Sequence, residues 1–153
     1  MTETDTAAEV AHLVSDRGLT VAVAESLTAG KLASALGAAP DASTWFRGGV
    51  VAYAPDVKFK VLGVPPGPVV TEECARAMAN GVASLLGADL AVSVTGVGGP
   101  GADEGQPPGT VWFGVVSPDG GHAELRTFDG EPEDVLAATT AHALRLLRDA
   151  CRP

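Results

Sequence analysis

The serine in Glu25-Ser26-Leu27-Thr28-Ala29-Gly30 is the first side chain whose setting suggests chemistry. A short apolar run ends at about Ala24 and helical spacing resumes at Leu27, so Ser26 falls at a strand-to-helix junction. Such junctions carry unpaired N–H groups, which can hold the oxyanion formed when a serine oxygen attacks a carbonyl. A plain helix cap by Ser26 or Thr28 fits the same segment. The second group is Tyr53-Ala54-Pro55-Asp56-Val57-Lys58. A lysine held beside a serine and deprived of water can serve as its general base. A surface lysine following a packed tyrosine reads equally well from these residues. The third is Thr95-Gly96-Val97-Gly98-Gly99-Pro100-Gly101. Gly96, Gly98 and Gly101 satisfy the G-x-G-x-x-G spacing after a strand, but Ala102 to Pro108 is acidic and proline-rich and is not the helix a dinucleotide fingerprint requires. What remains is a glycine loop whose bare N–H groups can take a phosphate or carboxylate, or a simple connector. His12, His122 and His142 share no metal spacing, and Cys74 and Cys151 give neither a ligand set nor a disulfide framework.

The elements that must position these groups follow from periodicity. Residues 6–17 read as a helix stopped by Gly18, Leu19–Ala24 as a buried strand and Leu27–Ala38 as a helix. Gly48–Tyr53 reads as a second strand, and Lys58–Leu62 as one helical turn cut off by Pro65 and Pro66. The clearest element is a helix over 72–86, where Cys74, Ala77, Met78, Gly81, Val82, Leu85 and Leu86 keep the i, i+3, i+4 rhythm between Thr71 as N-cap and Gly87 as stop. Leu90–Thr95 is a third strand, and the loop Gly96–Pro108 follows it. Gly109–Ser117 and His122–Phe128 flank a Pro-Asp-Gly-Gly turn, a hairpin whose second strand alternates as an edge strand does. The last helix runs from Pro132 to about Asp149, with Glu133 and Asp134 in its first turn. His142 lies at the boundary of that helix's buried face, and Trp45 and Trp112 are expected as core anchors. Helices alternate with strands, but one strand pair is a hairpin. The expected fold is therefore a single α/β domain over residues 1–153: three α/β/α layers, a mixed sheet and one C-terminal β-hairpin.

Composition narrows the function. The chain has 153 residues, 46% of them hydrophobic and 19% charged, as a globular domain should. A domain of this length buries roughly 70% of its unfolded surface, so it needs no covalent staples. The net charge of −9 argues against a nucleic-acid partner, which calls for clustered Lys and Arg. No apolar run approaches the ~20 residues of a membrane span, and Met1 to Glu9 is too acidic for a signal peptide. The expected setting is cytoplasmic, without a membrane partner.

Taken in order, the motifs carry a resemblance that none carries alone. ESLTAG, STWFRGGVVAY, a lysine five residues later, VLGV, the TEECA helix, TGVGGPG and PPGTVWFGV are similar throughout, over about residues 8–147, to the C-terminal domain of the competence/damage-inducible protein CinA. That family comprises nicotinamide-nucleotide amidohydrolases, which convert nicotinamide mononucleotide to nicotinate mononucleotide and ammonia. The resemblance implies Ser26 as nucleophile, Lys58 as general base and Tyr53 as an assisting tyrosine. It implies a nucleotide pocket lined by Thr28, Ala29, Gly30, Thr95, Gly96, Gly98 and Gly99, with N–H groups near Thr28 and Gly30 holding the oxyanion. No cofactor or metal is called for, the partner is a small-molecule nucleotide, and a homo-oligomer is left open. Name-giving members carry a further N-terminal domain resembling molybdopterin-binding proteins, and from the resemblance this chain is expected to represent the amidase domain without the activity of that further domain.

Two departures stand out. Leu27 and Ala29 replace the family's usual Cys and Gly, and Pro132 and Leu136 stand where members carry arginines at the start of the last helix. The second departure gives an alternative expectation, a CinA-like nucleotide-binding domain with weak or no catalysis. Lys31, Arg47, Lys60 and Arg126 are the side chains left to replace the missing charge.

Overall fold

The computed structural model describes residues 1–153. Chain order is α1 (Glu3–Arg17), β1 (Val21–Glu25), α2 (Lys31–Gly37), α3 (Ala42–Trp45), β2 (Phe46–Val51), α4 (Pro55–Leu62), α5 (Glu72–Leu86), β3 (Leu90–Gly96), β4 (Thr110–Ser117), β5 (Gly120–Thr127) and α6 (Pro132–Cys151). The strands form one sheet in the order β2-β1-β3-β4-β5. β1 pairs in parallel with β2 and β3, and β3-β4-β5 is an antiparallel meander. The expected three-layer α/β architecture with a mixed sheet and a C-terminal hairpin is the one observed.

The central strands are apolar on both faces because both faces are covered. β1 is buried at every residue, and β3 at all but its last. One face carries α1, α2, α3 and α6 over a core including Val10, Leu32, Val92, Phe113 and Leu144. The other carries α4 and α5 over a core including Ala24, Leu62, Met78 and Val82. Each fully buried Val, Leu or Met contributes roughly 1.5–3 kcal/mol, so two dry layers hold the sheet without aromatic bulk. Gly81 sits where any side chain would strike the Leu62 carbonyl, and this close approach seats α4 on α5.

Several boundaries differ from the sequence expectation for identifiable reasons. The second helix begins at Lys31 rather than Leu27, because Ala29 and Gly30 both take positive φ (48° and 100°), which a right-handed helix does not allow. α4 spans two turns, since Pro55 at its first position starts a helix instead of breaking one. α1 starts at Glu3, with Thr2 and Asp5 capping reciprocally. Trp45 is buried as expected, but Trp112 is only half-buried, on the α5 side of β4. His142 is half-buried, packs edge-on against Phe113 and bonds to Glu124 at 2.9 Å. No helix is long and apolar enough to cross a membrane.

Candidate active site

All three parallel strands point their carboxyl ends at one cleft, the place where open α/β sheets present ligand sites. Ser26 follows β1, Tyr53 follows β2, and Thr95 and Gly96 close β3. The cleft encloses a cavity of about 590 Å³ whose wall includes Ser26, Lys58, Thr95, Gly98 and Leu136. A larger groove of about 870 Å³ lies beyond the Ser26 turn, with alanine as its commonest lining residue and no buried serine–lysine pair.

Ser26 and Lys58, 32 residues apart in the chain, meet inside the cavity. Lys58 Nζ lies 3.0 Å from Ser26 Oγ, 2.8 Å from the Ala52 carbonyl oxygen and 3.2 Å from that of Tyr53. The lysine is 1% exposed and the serine 7%. Burial pulls the Lys58 ammonium below the ordinary lysine range, while nearby Cys74 and Glu104 work weakly the other way. The three oxygens suit an ammonium donating to all of them, and equally a neutral amine that donates to the Ala52 and Tyr53 carbonyls and accepts the Ser26 hydroxyl proton, the form a general base requires. No carboxylate bonds to Nζ to hold it charged.

The turn that presents Ser26 is built by a residue the sequence reading passed over. Glu25 is fully buried, and its carboxyl group accepts from Thr28 Oγ1 (2.6 Å), Leu32 N (2.9 Å) and Ala33 N (2.9 Å). It thereby occupies the first-turn donors of α2. The first-turn N–H groups of α2 are therefore not free to hold an oxyanion, whereas the N–H groups of Thr28 and Gly30 have no acceptor in the chain. The Ala29 and Lys31 N–H groups are spent on the Ser26 and Thr28 carbonyls, and Ala29 and Gly30 line the alanine groove, not the cavity. The Thr28 side chain is likewise spent on Glu25 and does not line the cavity. The backbone N–H groups of Leu27 and Thr28, just after Ser26 in the sequence, have no acceptor in the chain. A carboxyl group closing an otherwise apolar strand was the available signal. Replacing Glu25 with Ala should strand three buried donors and cost about 2–5 kcal/mol. For a domain of this size the thermal midpoint should fall by about 5–15 °C. An unchanged midpoint in a denaturation scan of Glu25→Ala would contradict this reading of the turn.

The remaining expected residues divide. Thr95, Gly96, Gly98 and Gly99 line the cavity. Gly96 is required where it stands, since a Cβ would lie 2.5 Å from the Thr110 carbonyl oxygen. Tyr53 lines the rim, but the residue is 67% exposed and only its backbone carbonyl joins the Ser26–Lys58 network. The glycine loop is strapped down rather than loose. Glu104 accepts from Val69 N and Val70 N at 2.8 Å each, Gln106 donates to the Val70 carbonyl, and Asp103 and Gln106 bridge. Among the four candidate cations none reaches the cavity. Lys31 lies in the alanine groove, Arg47 bonds to the Leu86 carbonyl, Lys60 pairs with Asp56 and Arg126 with Glu124. Pro132 and Leu136 stand on the cavity wall itself. No cluster of His, Cys, Asp or Glu suited to a metal ion is present.

The fold and the cleft define an open α/β domain with a buried serine–lysine pair at the carboxyl edge of its parallel strands. The chain belongs to the CinA C-terminal domain family, whose model matches residues 3–151. A CinA-like protein of Frankia casuarinae is 41% identical over 144 residues, covering 91% of this chain and 33% of that protein. One of Mycobacterium marinum is 42% identical over 149 residues, covering 92% and 34%. The chain thus spans about a third of the length of these curated relatives. Among solved structures, a competence-damaged protein (CinA) superfamily protein from Klebsiella pneumoniae superposes with a TM-score of 0.94 at 32% identity, covering 99% of this chain and 98% of that one. The Escherichia coli superfamily protein gives 0.93 at 34% identity, covering 96% and 90%.

Proposed function

We propose that the domain is an amidohydrolase of the nicotinamide-nucleotide class, releasing ammonia from a pyridine carboxamide through a Ser26 acyl-enzyme. The observation that carries this reading is the 3.0 Å contact between Ser26 Oγ and a buried Lys58 Nζ. Neutral Lys58 takes the Ser26 proton as Oγ attacks the carboxamide carbon. The developing oxyanion lies toward the Leu27 and Thr28 N–H groups, where preorganised donors stabilise charge without reorganising. Collapse of the tetrahedral adduct breaks the C–N bond, and the Lys58 proton leaves with ammonia. Water then attacks the ester, with Lys58 again taking a proton, to yield the carboxylate and free Ser26. Tyr53 contributes its carbonyl to Lys58 and presents its ring at the rim, where a flat substrate ring can lie.

A panel of amides tests the proposal: nicotinamide mononucleotide, its dephosphorylated nucleoside, nicotinamide and an aliphatic amide. Release of ammonia from at least one N-ribosylated nicotinamide is the expected result. A second reading, a nucleotide-binding domain without turnover, draws on the absence of a family arginine at Pro132 and Leu136. Binding of these compounds without ammonia release from any of them would favour it.

A further inference from the structure

The cavity's charge is unsuited to a phosphate. Its wall contains one cationic side chain, Lys58, and one anionic side chain, Asp103. Lys58 is committed to Ser26 and two carbonyls, and it works only when neutral. In its working state the cavity is therefore net negative, in a chain that already carries −9. The positions nearest the start of α6 are the apolar Pro132 and Leu136. Asp103 has no hydrogen-bonding or ionic partner for its side chain, and its backbone is held by reciprocal N–H···O bonds with Gln106. It is thus an exposed, unpaired carboxylate on a fixed stretch of loop at the cavity wall.

We propose that this cavity selects a carboxamide carried on a cationic, phosphate-free scaffold, such as an N-ribosylated pyridine carboxamide, over the 5′-phosphorylated nucleotide. The proposal rests on the amidohydrolase reading above and names its substrate class. N-ribosylation makes the pyridine ring a pyridinium, so the scaffold carries a positive charge that Asp103 can face. A nucleoside is also the right scale for a cavity of about 590 Å³. The Gly98, Gly99 and Gly101 N–H groups on the same wall have no acceptor in the chain. They can donate to neutral ribose hydroxyls, whereas a phosphate against them would share the loop with Asp103. The reaction balances as carboxamide plus water giving carboxylate plus ammonium, with no other reactant.

The test compares kcat/KM for ammonia release from nicotinamide riboside and from nicotinamide mononucleotide, in the wild type, Asp103→Asn and Leu136→Arg. The wild type should prefer the nucleoside by about tenfold or more. Asp103→Asn should narrow that preference. Leu136→Arg should raise use of the nucleotide by about tenfold to a hundredfold, the weight of one charge-assisted hydrogen bond. Leu136 is only half-buried, so the substitution should fold, and Pro132→Arg provides an independent second site. A wild type that uses the nucleotide as well as or better than the nucleoside would overturn the proposal. If neither compound yields ammonia, the amidohydrolase reading has failed separately, and calorimetric binding decides the selectivity. Tighter binding of the nucleoside supports it. Equal or tighter binding of the nucleotide, or binding of neither, overturns it.

Discussion

Ser26→Ala should reduce ammonia release by about four to six orders of magnitude while leaving a folded protein. Removing a serine nucleophile costs this much because the acyl-enzyme route closes altogether, and only binding and oxyanion contacts are left. The structural cost is small by comparison. The substitution removes one hydroxyl and its 3.0 Å contact with Lys58, while Nζ keeps the Ala52 and Tyr53 carbonyls. One hydrogen bond contributes about 0.5–1.5 kcal/mol, so the thermal midpoint should shift by only a few degrees. Steady-state ammonia release alongside a thermal scan checks both halves. Retained turnover would move the nucleophile elsewhere, and the Thr28 hydroxyl is poorly placed to replace it because it donates to Glu25.

Lys58→Met should lower kcat by about a hundredfold to ten-thousandfold, the usual weight of a general base. Methionine approximates the length of the lysine stem and keeps its packing, but offers no lone pair to the Ser26 hydroxyl. Lys58→Arg should fail as badly, since a guanidinium does not give up its proton. The pH profile carries the more specific signature. The attacking complex needs a neutral amine, so the wild-type rate should rise with pH as Nζ loses its proton. Because burial disfavours the ammonium, that rise should be centred below ~10.4, the value of a lysine in water. Residual activity in Lys58→Met should lack this limb. A wild-type rate that falls across the same range, or a limb that survives in Lys58→Met, would assign the titration to another group.

Much of this fold is legible in the chain, and the illegible parts share a cause. α5 stands out because a capping threonine, two acidic first-turn residues and a terminal glycine frame a strict apolar rhythm. The hairpin and the start of α6 carry similar local signals in Asp119-Gly120 and Pro132. Ser26 and Lys58 enter as a pair only through the order of motifs along the chain, since no local pattern says that residues 32 apart share a hydrogen bond. The Ser26 turn is misread as helix because the helical spacing of Leu32, Ala35 and Leu36 is extended back to Leu27. Positive φ at Ala29, a residue that rarely adopts it, has no compositional signature. Glu25 and Glu104 escape for a related reason. Each is a charged residue next to a functional segment, and its task is to accept from backbone N–H groups that only the fold delivers. The empty place of the family arginine is legible from sequence, whereas the failure of Lys31, Arg47, Lys60 and Arg126 to reach the cavity is a fact of three dimensions.

The central claim is that Ser26, activated by Lys58, becomes acylated. The most direct measurement is rapid quenching of the wild type in acid during turnover of an N-ribosylated nicotinamide, followed by proteolysis and mass spectrometry of the peptide bearing Ser26. The account predicts a mass increase equal to the acyl group on Ser26, removable by hydroxylamine and missing from Ser26→Ala. Ammonia release that proceeds at the same rate in Ser26→Ala, with no adduct on Ser26 at any quench time in the wild type, would contradict it.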